Sequence, residues 1–191
     1  MRRRTVLAGL AGAGATAWYL GREPAPDAPA TGDPKAGSGG DGSVSVTTAP
    51  EREAVEALIV ERINGARFDR GLENLDRDGD LRFTARAHSE DMHAREFYAH
   101  ENPDGEQPWH RVPCNAGEVI HRGEVGTARN RGAQESWDTT TVDGMAGYVV
   151  EGWVLSESHY EVLLTERFER LGVGIHIAAG QFWATAMFCD R

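Results

Sequence analysis

Three side chains stand out for the chemistry they can share: His100, Glu118 and His159. Each falls where the sequence pattern ends an element, beside apolar residues or glycine. Ends of elements that converge on one side of a sheet are where polar groups assemble sites. Two imidazoles and a carboxylate suit two kinds of chemistry. With His100 and His159 as ligands, they can hold zinc or another divalent cation with positions left open. Without an ion, they can act as a base and the group that orients it, and Glu118 is then the candidate general base. The bland alternative is a histidine that caps a helix or lines the core edge.

The other histidines read as structural. "HSEDMH" (88–93) does not have the helical zinc-protease spacing, which needs histidines at i and i+4 with a glutamate after the first. His88 is expected to be a half-buried helix residue and His93 a surface one. His110, His121 and His176 have no ligand partner nearby in sequence. No G-x-S-x-G elbow, phosphate loop or dinucleotide fingerprint is present, and neither cysteine has the surroundings of a catalytic thiol.

The elements that must position these residues follow from periodicity. "PEREAVEALIVERINGARFDRG" (50–71) reads as a helix, with Val55, Leu58, Ile59 and Ile63 at helical spacing and acids in the first turn. A turn segment (72–80) leads to a second helix, 81–100, capped by Asp80, with Phe97 and Tyr98 as core anchors. Residues 101–142 read as irregular, holding at most a short extended piece at "NAGEVIH" (115–121). A third helix is expected at 143–157 and a short helix or turn at 158–170. Residues 171–178 and 181–189 alternate as two strands joined by the hairpin pair Ala179-Gly180. Helices followed by strands in this order predict an α+β fold in which helices cover a small sheet.

Composition narrows the setting. The 191 residues carry a net charge of −10, and Lys35 is the one lysine. So acidic a surface repels phosphate backbones and argues against nucleic-acid partners. Acid-rich, lysine-poor composition is halophile-like, since high salt screens self-repulsion, although coding bias toward arginine gives the same signature. Arg2 to Arg4 followed by the apolar, Ala/Gly-rich run Val6 to Leu20 reads as an export signal over 1–21. "RRTVL" (3–7) resembles the twin-arginine signal; the alternatives are an ordinary signal and an uncleaved N-terminal anchor, the one route to a membrane. Residues 22–49 lack large apolar side chains and read as a flexible linker, leaving 50–191 as the folded domain. Outside the cytoplasm, Cys114 and Cys189 read as a disulfide, or otherwise as two buried thiols.

At the candidate residues a family resemblance appears. "RINGAR" (62–67), "GLENLDRDGDLRFTARAHSEDMHAREFYAH" (71–100) and "PDG" (103–105) come first. "AGEVI" (116–120), "VVEGWVLSESHYEVLL" (149–164) and "GVGIHI...FWATAMF" (172–188) follow in order. Together they resemble the CAP superfamily of cysteine-rich secretory, antigen 5 and pathogenesis-related proteins, in its microbial SCP-like extracellular branch. The resemblance implies a three-layer α-β-α sandwich and a shallow cleft lined by His100, Glu118 and His159. It places Ser156 where eukaryotic members carry a second acid, and Val119 where the family usually has asparagine. It implies a secreted or outer-face protein whose partner is an extracellular ligand or a cell-surface component. On this basis the chain is expected to be a non-catalytic binding module whose cleft can hold a divalent metal. The alternatives are a metal-assisted, peptidase-like extracellular hydrolase and a lipid-binding module.

Overall fold

In the computed structural model, residues 49–190 are described. The segment 1–21 and all but the last residue of the linker lie outside the described residues. The first helix, α1 (Ala49–Phe68), buries Val55, Ile59 and Ile63 along one stripe. The two-residue strand β1 (Asp76–Arg77) follows, within what the sequence reads as a turn. Helix α2 spans Gly79–Ala94 and is capped by Asp78 rather than Asp80; the Asp78 carboxylate accepts from the Asp80 and Leu81 amides.

Strands β5 (Arg170–Ala178) and β6 (Gln181–Cys189) form the expected hairpin. Ala179 (φ 51°) and Gly180 (φ 74°) both adopt left-handed backbone, which matches the strand twist in a tight hairpin. The larger departure from the sequence reading is β2 (Ala116–Glu124), nine residues paired antiparallel with β6 along its whole length. The sheet order is β1-β5-β6-β2, with β1 parallel to β5.

Alternation along the strands splits the sheet into two faces. Met187 and Cys189 pack on Leu81 and Ala85 of α2, and Ile120 and Trp183 pack on Met92. Gly172 and Gly174 lie under α2 so closely that an added Cβ would fall 2.1 Å and 2.0 Å from its backbone nitrogens. The opposite face carries Val119, Val173, Ile175, Phe182, Ala184, Ala186 and Phe188. It is covered by α1 and by α4 (Val142–Val154) through Val149, Val150 and Trp153. The fold is the three-layer α-β-α sandwich, with helix α5 (Glu157–Leu163) beside α4.

Both long edges of the sheet are closed by side chains, which removes the hazard of unpaired strand edges. On β5, the Ile175 amide donates to Glu56 at 3.0 Å, and Arg86 grips the same buried carboxylate at 2.6–3.0 Å. On β2, the Ile120 carbonyl accepts from the Trp153 indole at 3.0 Å and the Tyr98 hydroxyl at 3.2 Å. Tyr98 is therefore not a core anchor: its side chain lies at the surface, 43 % exposed, with its hydroxyl turned in.

Helix α2 also ends earlier than its pattern suggests. Glu96 adopts φ 57°, the Glu96 amide donates to the His93 carbonyl and the Phe97 amide to Met92. This is a Schellman stop with glutamate in the place usually given to glycine, sealed by the apolar contact of Phe97 with the Met92 cluster. His100 consequently sits in a loop rather than at a helix end. Residues 101–142 further hold α3 (Pro108–Arg111) and a small pair of strands, β3 (Thr127–Ala128) and β4 (Trp137–Asp138). Cys114 and Cys189 are joined as a disulfide, with Cα atoms 5.8 Å apart.

Candidate functional site

Glu118 lies on the α2 face of β2, between Ala116 and Ile120 in the strand's alternation. Its side chain is 1 % exposed. A carboxylate taken so far from water needs hydrogen-bonded, charged partners. Oε2 accepts from the Arg111 guanidinium at 2.5 Å, and Oε1 is 2.8 Å from His100 Nδ1. His88 Nε2 stands 3.7 Å from the same Oε1, but its hydrogen bond goes to the Ala99 carbonyl at 3.1 Å. His88 is fully buried, and that burial holds its basicity below the usual imidazole range. It acts as a neutral donor that fixes the backbone just before His100.

The loop that carries His100 is tied at several points. Arg111 also donates to the His100 carbonyl at 3.0 Å, so one guanidinium links α3, the loop and β2. The buried Asn102 folds residues 102–106 back on themselves, accepting from the Asp104 and Glu106 amides. Arg95 bridges Asp91 and Asp104.

This frame sets the state of His100. A carboxylate with both oxygens engaged accepts at Oε1, so His100 Nδ1 carries a proton, and in the neutral ring the lone pair falls on Nε2. The ring is 45 % exposed, and Nε2 is the nitrogen that Glu118 does not hold. Glu118 itself has no free oxygen and no access to solvent. Its geometry is that of an orienting group, not of the general base the sequence suggested.

His159 comes from the first turn of α5, a helix that packs against β2 and α4. Burial, and then the charge of His100, lower its basicity, which puts the two rings within electrostatic reach of each other. Its Nδ1 is buried and has no hydrogen-bond partner. Behind it lies His121, on the α4 face of β2 against the Tyr148 ring. Burial, and then the neighbouring His159, push the His121 imidazole down to about 4. Ser156 caps α5 without a side-chain bond to its backbone; its hydroxyl lies 3.3 Å from that of Ser158. Ser156 is thus placed at the start of the same helix but forms no bond to His100, Glu118 or His159.

The donor set does not fit a tightly held zinc ion. Such sites draw at least three protein ligands. Both Glu118 oxygens and His100 Nδ1 are already used, which leaves one nitrogen on each of two imidazoles. Among the described residues, no three His, Cys, Asp or Glu side chains are arranged to hold an ion. Sequence reasoning missed Arg111, His88 and His121. For Arg111 a signal existed: an acid set between glycine and two β-branched residues is a buried acid, and a buried acid demands a cation.

Comparison with known proteins bears on the family and the fold. YkwD of Bacillus subtilis, an uncharacterized protein, is 29 % identical over 146 residues, 73 % of this chain and 49 % of its own length. YlbC of the same organism, an uncharacterized membrane protein, is 32 % identical over 120 residues, 63 % of this chain and 31 % of its own. The chain thus spans half or less of these two relatives. Among solved structures, an extracellular SCP-domain protein of Bacillus anthracis superposes with a TM-score of 0.56 at 23 % identity, covering 73 % of this chain and 41 % of that one. An outer surface protein of Borrelia burgdorferi gives 0.57 at 18 %, covering 73 % and 94 %. Both likenesses concern the fold. No helix among the described residues is long and apolar enough to cross a membrane. The model of the cysteine-rich secretory protein family, CAP, matches residues 60–189, nearly all of the sandwich, and the chain belongs to that family.

Proposed function

We propose that this CAP-domain protein works outside the membrane barrier as a binding module without turnover of its own. Its ligand, an extracellular or cell-surface component, docks at the β2 edge between His100 and His159. The observation that supports this reading is the full commitment of Glu118. With one oxygen held by His100 and the other by Arg111, Glu118 suits an orienting group rather than a base that takes a proton from water. A fixed imidazole that offers one lone pair is a recognition group. Delivery to the outside rests on the segment 1–21.

One observation favours a second reading. The Glu118–His100 pairing is also how a carboxylate prepares a histidine general base, so a hydrolase would use His100 rather than Glu118. Washed cell envelopes of the host separate the two. Under the binding reading the protein sediments with them, His100→Ala weakens this about tenfold, a chelator changes nothing, and no fragments are released. Fragments released by wild type and not by His100→Ala would replace the module with an enzyme. Equal sedimentation of both proteins would remove the cleft from the function.

A further inference from the structure

Further along β2 from Glu118 lies a cavity of about 410 Å³, lined by Arg122, Glu124, Thr127, Arg129, Tyr148 and Gln181. That size falls within the range of small-molecule sites. At strand rise, Arg122 is roughly 13 Å from Glu118, so this space is separate from the imidazole cleft.

Its rim is irregular chain held rigid by buried polar side chains. Thr139, with no exposed surface, accepts from the Gly126 amide at 2.9 Å and reaches the Glu124 carbonyl at 2.7 Å. Asn130, also buried, donates to the Tyr148 carbonyl at 2.8 Å and to Glu151 at 2.9 Å. Both ends of 124–130 are thus nailed down, and between them Val125 packs on the core. A short exposed loop fixed from beneath is how a fold pre-organises a binding surface. Gly123 serves the same end: a Cβ there would strike the Phe182 and Tyr148 rings at 2.5–2.7 Å, so the Tyr148 wall requires glycine.

The groups presented are of a definite kind. Arg122 lies over the Tyr98 ring at 5.1 Å, a cation–π contact that needs none of its N–H donors. Neither Arg122 nor Arg129 makes an ion pair among the described residues, in a chain of net charge −10. Two open guanidinium edges match a carboxylate. Glu124, Thr127 and Gln181 supply acceptors and donors suited to hydroxyl groups, and Glu124 would repel a bare, highly charged anion. β2 is the edge strand, and the Ile120 and Glu124 carbonyls point outward. By the period of two the Arg122 backbone amide and carbonyl do the same and add two more hydrogen-bonding groups.

We propose that this cavity is a second binding site, and that it takes a hydroxylated carboxylate, the chemistry of an acidic sugar unit. The test titrates the full chain with glucuronate, glucose, inorganic phosphate and a tetraglutamate peptide, following backbone amide shifts of Gly123, Gly126 and Thr127. Glucuronate is expected to shift these signals saturably and to bind at least tenfold tighter than glucose. Arg129→Gln is expected to weaken glucuronate about tenfold; Arg129 is exposed and its side chain makes no hydrogen bond or ion pair among the described residues, so the variant keeps its structure. Arg122→Gln is expected to act in the same direction. Equal binding of glucose and glucuronate, or of wild type and Arg129→Gln, would overturn the proposal. So would phosphate binding as tightly as glucuronate, which would mark a general anion site, or tetraglutamate binding tighter, which would mark a peptide site.

Discussion

Arg111→Met tests the frame of the cleft directly. Arg111 is 10 % exposed and Glu118 1 %, so the pair is removed from water on both sides. Taking away the guanidinium leaves the carboxylate with His100 as its one hydrogen-bonded partner, and the His100 carbonyl loses its donor. Breaking a buried ion pair from one side costs about 3–5 kcal/mol, because the remaining charge stays desolvated. The loop carbonyl is less covered and adds under about 1 kcal/mol. A loss of about 4 kcal/mol, with a urea slope of about 2 kcal/mol per molar, moves the unfolding midpoint down by about 2 M. The double variant Arg111→Met, Glu118→Gln should recover at least about 2 kcal/mol of this, since no charge is then stranded. A loss below about 1 kcal/mol in the single variant, or strict additivity in the double, would refute the view that Glu118 is a buried anion held by Arg111.

Three further outcomes are expected. Burial, and then the neighbouring His159, hold the folded His121 imidazole at about 4 against an ordinary value of 6.5. Between these values the unfolded chain binds a proton that the folded chain does not, so stability falls as pH drops through this window. The fall reaches about 3 kcal/mol at its foot. His88, His159 and His176 shift in the same direction. Urea midpoints measured from pH 7.5 to 4 should slope less steeply in His121→Phe; an unchanged slope would show that His121 is not buried neutral. Reducing the Cys114–Cys189 bridge, which spans 75 residues, should cost about 4 kcal/mol in the chain-entropy account, read as a lower midpoint in reductant. Glu96→Gly should raise stability by about 1 kcal/mol by relieving the left-handed backbone at φ 57°, read as a higher urea midpoint.

The sequence made the hairpin and the helices α1 and α4 readable because each carries its own period: apolar residues at helical spacing, or alternation with a turn pair between. It hid β2. "AGEVIHRGE" interrupts its alternation with two glycines, an acid and an arginine, because one face is site and the other must admit the rings of Phe168, Tyr148 and Phe182. The end of α2 was hidden for another reason. Glutamate at the left-handed stop looks like ordinary helix, and what ends the helix is the tertiary contact of Phe97 with Met92, Ile120 and Trp183. His100, Glu118 and His159 were legible through a family pattern. Arg111 was not, since its role depends on a loop folding across the end of a strand.

The two cleft imidazoles are unequal, and this inequality limits what the cleft can do. Glu118 fixes the tautomer of His100, and Arg111 fixes Glu118. His159 has no such support: where the family resemblance places a second acid the chain has Ser156, whose hydroxyl meets Ser158 instead. The buried Nδ1 of His159 therefore stays without a partner, and burial, then the neighbouring His100, lower the basicity of the ring. A metal ligand or a catalytic base needs its second nitrogen held, because the tautomer decides which nitrogen offers a lone pair. Recognition is less demanding, since a neutral imidazole can donate or accept according to what arrives. One oriented ring and one adaptable ring across a strand edge thus suit a ligand with both donors and acceptors. For the same reason, substituting His100 should weaken ligand binding more than substituting His159.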